Sequence, residues 1–178
     1  YQTIFAKNEG AVAAPAAGLH FSRELFNRMI LKDINSAFIT LHMGIGNFRN
    51  VDVEDLSKHK TDSERLIISE ETAELINSTH RKGHKVLAVG VTTAKGLETY
   101  VTTNDEVNPY DGWTNKFIFP PYRYAIPDAL VSNFHLPGST MLMAVAAFGG
   151  FDKVMEAYRQ ALEGDYKFGP YGDALLII

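Results

Sequence analysis

Three histidines stand where apolar stretches begin or end: His20 in "AAGLHF", His42 in "TLHM" and His135 in "SNFHLPGST". Imidazole titrates near neutral pH, which makes histidine the commonest general acid or base. A single histidine of this kind is often only a hydrogen-bonded core residue; three at matching places point to proton transfer. A three-histidine metal site is the competing chemistry, and the absence of i, i+4 spacing among the three argues against it. A triad of Ser139, His135 and Asp128 is conceivable from their order, but no G-x-S-x-G elbow supports it. Gly44-x-Gly46-x-x-Arg49 is half of a dinucleotide fingerprint with Arg49 in the place of the third glycine. It reads better as a tight turn that lets a ligand approach the backbone. His59, Asp62 and Glu64 read as solvated loop residues, and His80 and His84 as surface charge near a helix end. Trp113 could stack on a base or close over the site.

These residues need elements to hold them. Ser22 fits an N-cap with Glu24 in the first turn, and Leu25, Phe26, Met29 and Ile30 share one helical face. Residues 36–43 have the β-branched and aromatic content of a strand. Residues 44–64 form a long polar connection, a length usually tied to function or mobility. Residues 68–83 form a helix capped by Ser69, with acids first, bases last and Gly83 as its stop. Residues 84–90 read as a buried strand and 91–101 as a helix, with Thr92 and Thr93 near its start. Residues 104–113 are turn-rich. Residues 116–124 read as a short strand broken by two prolines, and 128–136 as another strand. Helices follow over 139–148 and 151–163, separated by Gly149 and Gly150, and a last strand closes the chain in "YGDALLII".

Alternating strands and helices, with central strands almost wholly apolar, predict one α/β domain over residues 1–178. The layering is three-layer α-β-α around a mostly parallel sheet. Ligands in such sheets sit beyond the carboxyl ends of the strands. The polar residues there are His42, Gly44 and Gly46; Thr92 and Thr93; and Asn133, His135 and Ser139. Their convergence on one sheet edge is the expected site. The greasy helix after Ser139 would hold the strand-end groups rigid.

The composition fits a globular chain: 178 residues, 46% apolar and 21% charged. No apolar run nears the roughly 20 residues that span a bilayer, and no signal peptide is recognisable. With no cysteine, disulfides, thiolate metal sites and a Cys nucleophile are excluded, which suits the cytoplasm. A net charge of −4 requires any RNA contact to come from a local patch or from another part of the protein. The start at Tyr1, in mid-pattern, reads as a fragment or processed product.

The strings "AAPAAGLHF", "TLHMGIGNFR", "HKTDSE", "AVGVTT", "NFHLPGSTMLM" and "YGDALLI" resemble the S-adenosylmethionine:tRNA ribosyltransferase-isomerase family of queuosine biosynthesis, from Tyr1 to Ile178. The resemblance implies a longer protein, with an N-terminal segment and a β-barrel domain absent from this chain. It implies S-adenosylmethionine as a substrate, with no separate cofactor and no membrane. The second substrate would be a tRNA whose wobble base is 7-aminomethyl-7-deazaguanine. The ribosyl carbons move onto the aminomethyl group and rearrange, adenine and methionine leave, and the product is epoxyqueuosine-tRNA. By the same resemblance, His20, His42 and His135 are the acid–base candidates. Gly44 and Gly46 would admit the ligand, and Arg49 would hold a carboxylate or phosphate. Thr92, Thr93, Asn133 and Ser139 would orient ribose or adenine, and Phe134 would pack on an aromatic ring. Three stretches depart from the family pattern: Asp62 stands where a second histidine is usual, Lys95 where an arginine is, and the stretch around Arg49 reads "GNFRNV", with Asn47 and Asn50. The alternative reading is a weak or inactive relative that binds an adenosyl ligand or RNA without turnover.

Overall fold

The computed structural model describes residues 1–178, all but the side chain of Asn47; that departure therefore lies outside the described residues. In chain order the elements are α1 (Arg23–Ile30), β1 (Thr40–His42), β2 (Glu64–Ile68), α2 (Glu70–Arg81), β3 (Leu87–Val89), α3 (Val91–Leu97), β4 (Tyr110–Thr114), β5 (Ala129–Asn133), α4 (Thr140–Gly149), α5 (Phe151–Glu163) and β6 (Ala174–Ile177). Three helices begin where a serine hydroxyl accepts an orphan N–H: Ser22 from Leu25, Ser69 from Thr72 and Ser139 from Leu142. Gly150 ends α4 and opens α5 at φ +82°, a conformation that favours glycine.

The α/β class is the expected one, but the strand directions differ from a mostly parallel sheet. Two three-stranded sheets form, in the orders β1-β2-β4 and β3-β5-β6. Only β3 and β5 run parallel; β1 with β2, β2 with β4, and β5 with β6 are antiparallel. The reason lies in two strands that composition conceals. β2 buries Glu64, Leu66 and Ile68 on one face, a period-two pattern inside what reads as the end of a polar loop. β4 contains Asp111 and Gly112, poor strand formers that pairing to a central strand overrides; Arg65 on β2 forms an ion pair with Asp111. The segment 116–124 is not a strand. Pro120 and Pro121 have no N–H for a ladder, and side chains fix it instead. Ile118 is buried. The Tyr122 hydroxyl donates to Glu98 Oε2 at 2.7 Å, and the Ala125 and Ile126 N–H groups donate to Glu98 Oε1 at 2.9 and 2.8 Å. The 44–64 connection carries two short 3-10 turns, at Ile45–Phe48 and Leu56–Lys58.

Each sheet has its own core. Leu66, Ile68, Ala73, Ile76, Leu97, Val107 and Ile126 form one, under β2 and α2. The other gathers Ala88, Leu130 and Phe134 from the second sheet with residues of α3, α4 and α5. α3 supplies Val91 and Ala94 to the second core and Leu97 to the first, so seven residues join the two. Its Lys95 forms an ion pair with Glu64 of β2, whose side chain is fully buried. Gly44 N–H donates to the other oxygen of that carboxylate at 2.9 Å.

Removing one member of a buried ion pair leaves the other desolvated without compensation. Lys95→Met is expected to lower the unfolding free energy by about 3–5 kcal/mol. Glu64→Gln combined with Lys95→Met should recover most of that loss. Denaturant unfolding of the single and double variants checks both.

Candidate active site

Three tethers assemble the site around the ends of β3 and β5. The Gly90 N–H, at the exit of β3, donates to the Val131 carbonyl at 2.8 Å. Gly90 takes φ +98°, and a Cβ there would stand 3.8 Å from the Ala17 methyl. The 3-10 turn Ala16–His20 thus lies against this exit and also against β5. At the end of β5, Asn133 is 2% exposed. Its amide nitrogen faces the carbonyls of Gly169 at 3.2 Å and Gly172 at 3.4 Å, and His20 Nε2 at 3.4 Å. Three acceptors around one NH2 fix the amide orientation, so Oδ1 points the other way, and it has no hydrogen-bond partner. The third tether is the Val51 N–H, which donates to Gly138 O at 2.9 Å. It draws the segment after Arg49 to the Pro137–Gly138 turn.

His135 is held by two neighbours. Its N–H donates to the Tyr158 hydroxyl at 2.8 Å, and its Nε2 lies 2.9 Å from Ser132 Oγ. The single Ser132 hydroxyl proton goes to the Asn133 carbonyl at 2.9 Å. Burial pushes the imidazole down to about 4, so the ring is neutral at physiological pH. His42 ends β1 opposite Arg65, with Gly10 packed on its ring; a Cβ on Gly10 would stand 2.5 Å from Nδ1.

The remaining candidates divide. Thr92 lines a cleft with Thr61, Lys95, Lys116 and Thr140. The Thr93 hydroxyl donates to Val89 O at 2.8 Å. Gly46 is so close to the Asp62 carboxylate that a side chain would collide with it. Arg49 is exposed, 3.9 Å from Asp62. Phe134 is 3% exposed and packs in the core against Tyr158, Tyr166 and Phe168. Besides capping α4, the Ser139 hydroxyl donates to Leu136 O at 2.7 Å. No triad forms, because Asp128 precedes β5 and pairs with His80 at 3.0 Å. Trp113 is 63% exposed on β4. Glu64, read from sequence as solvated, is buried; its place in the Glu64–Leu66–Ile68 alternation was the available signal. Among the described residues no cluster of three or more His, Asp or Glu side chains could hold a metal.

A buried neutral histidine makes stability fall with acid. The folded pKa of His135 lies below its ordinary value, so its contribution is complete above about 6.5 and is lost as pH falls towards 4. The loss over that window is roughly 3 kcal/mol. A His135→Asn variant is expected to show a correspondingly smaller decline in unfolding free energy between pH 6.5 and 4, measured by denaturant titration at a series of pH values.

A family profile described as "Queuosine biosynthesis protein" matches residues 1–177. The S-adenosylmethionine:tRNA ribosyltransferase-isomerase of Phocaeicola vulgatus is 57% identical across all of this chain and 51% of its own length. The protein of the same name from Staphylococcus haemolyticus is 46% identical across all of this chain and 52% of its own. The crystal structure of an S-adenosylmethionine tRNA ribosyltransferase from Thermotoga maritima superposes with a TM-score of 0.76 at 41% identity, over 91% of this chain and 51% of that one. The chain thus spans about half the length of these relatives. No helix is long and apolar enough to cross a membrane among the described residues. With a profile match over nearly every residue, this chain belongs to the queuosine biosynthesis protein family.

Proposed function

We propose that the protein carrying this chain transfers and isomerises the ribosyl moiety of S-adenosylmethionine onto 7-aminomethyl-7-deazaguanine at the tRNA wobble position. The product is epoxyqueuosine-tRNA, with adenine and methionine released, and a cytoplasmic setting follows from that substrate. The observation that carries the reading is the cluster at the end of β5. There His20 meets Asn133, and Asn133 leaves a buried carbonyl oxygen without a donor. An N–H or O–H of a bound nucleoside would satisfy such an acceptor.

The chemistry asks for three proton movements: removal from the carbon beside the sulfonium, removal from the aminomethyl nucleophile, and donation to the departing adenine. His135, kept neutral by burial, suits acceptance rather than donation. His20 is exposed at the rim, with its Nε2 beside the Asn133 amide; an imidazolium at that place is the proton donor the departing adenine needs. His42 is the third candidate, with its ring orientation limited by Gly10. Gly44 donates to Glu64 and Gly46 sits close against Asp62, so their part is to fix the turn that carries Arg49. Arg49 stands free enough to meet a phosphate or carboxylate.

The deciding experiment incubates the protein as its organism makes it with S-adenosylmethionine and tRNA bearing the aminomethyl-deazaguanine base, and follows adenine and methionine by mass spectrometry. Release of both, dependent on that tRNA, is the expected result. Bound but intact S-adenosylmethionine would replace this reading with a binding protein. His20→Gln is expected to lower kcat by about 100-fold or more. Its thermal unfolding should stay near that of the parent, because the His20 side chain is exposed.

A further inference from the structure

A cleft between the starts of α3 and α4 carries a set of donors that no protein acceptor uses. It is small and open at its mouth, with a cavity volume of about 20 Å3, and lies between the start of α3, the start of α4 and the 116–118 segment. Thr140, the first residue of α4, is 7% exposed, and its hydroxyl has no hydrogen-bond partner among the described residues. The Thr92 hydroxyl, half-buried on the opposite wall, is likewise without one. Lys116 brings an ammonium with no carboxylate within ion-pair distance among the described residues; it sits 4.9 Å from the centre of the Tyr122 ring.

Burial holds the Lys116 ammonium below the usual lysine range, opposed only by the field of Glu98. Both Glu98 oxygens are occupied by Tyr122, Ala125 and Ile126. Lys95, also on the wall, is matched by Glu64, so the cleft keeps the positive charge of Lys116. The dipole of ten-residue α4 adds to it at the same end. Hydroxyl donors, a cation and a helix N-terminus facing one small space are the partners of a single oxyanion.

We propose that the Thr92–Lys116–Thr140 cleft is a binding subsite for one oxyanion, a carboxylate or a phosphate. The cleft follows from this chain alone. The source of the anion rests on the reading above: the amino-acid carboxylate of S-adenosylmethionine or a phosphodiester of the tRNA.

Inorganic phosphate is the first probe, titrated calorimetrically at low ionic strength into the protein as its organism makes it, with neither substrate present. Lys116→Gln is expected to weaken phosphate binding by about tenfold or more, and Lys116→Arg to retain most of it. Thr92→Val removes a hydroxyl that bonds nothing in the fold, so it should leave thermal unfolding unchanged and still weaken phosphate about threefold. Phosphate that fails to bind the parent protein, or binds all variants equally, overturns the proposal. The same variants are then titrated with S-adenosylmethionine and with tRNA separately. Weakened S-adenosylmethionine binding with tRNA unchanged assigns the carboxylate, and the reverse assigns the phosphodiester. Phosphate loss with both substrates unaffected upholds the cleft and counts instead against the proposed substrates.

Discussion

The fully buried carboxylate of Glu64 is the constraint on which the arrangement turns. A carboxylate taken out of water must be met by a cation and by N–H donors. Here those come from Lys95 on α3 and Gly44 at the exit of β1. One side chain thereby ties three elements that are distant in sequence. It also explains how two small sheets behave as one scaffold, since α3, which contributes to both cores, is bonded to the central strand of the first sheet.

Glu98, one turn further along α3, repeats the device with neutral partners. Its two oxygens gather a hydroxyl and two backbone N–H groups from a segment that proline bars from a sheet. The placement of Lys116, Phe117 and Ile118 along the cleft follows from that anchor. Asn133 does the same at the other end of the site, where its amide holds the Gly169 and Gly172 carbonyls of the turn before β6. The candidate chemistry therefore sits on polar groups whose other hydrogen bonds are structural, a condition for keeping reacting atoms in register.

What was legible in the sequence was local. Ser22, Ser69 and Ser139 announce their helices because a cap needs only the next three residues. The amphipathic pattern of α5 shows in Val154, Tyr158 and Ala161, all buried on one face. The polar end of β5 was also legible, since an apolar strand stopping at Asn133 and His135 is unusual within a few residues. What was not legible depended on partners far along the chain. β4 becomes a strand only because β2 offers an edge, and strand direction is a property of the pair. Glu64 looks like any loop acid until Lys95 is set beside it, 31 residues away. Phe134 and Ser139 stand beside chemistry-bearing neighbours yet are used for packing and capping, and sequence adjacency cannot separate the two uses.

The electrostatics of the site follow from the same economy of charge. The chain carries a net charge of −4, yet two lysines, Lys95 and Lys116, line one small cleft. Lys95 is neutralised by Glu64, and Lys116 has only an aromatic ring at close range. A broad basic face would attract any polyanion in a salt-dependent way without reading its shape. A half-buried ammonium with hydroxyls lining the same cleft would instead select an anion by position and geometry. His135, kept neutral by burial, adds no charge to this balance.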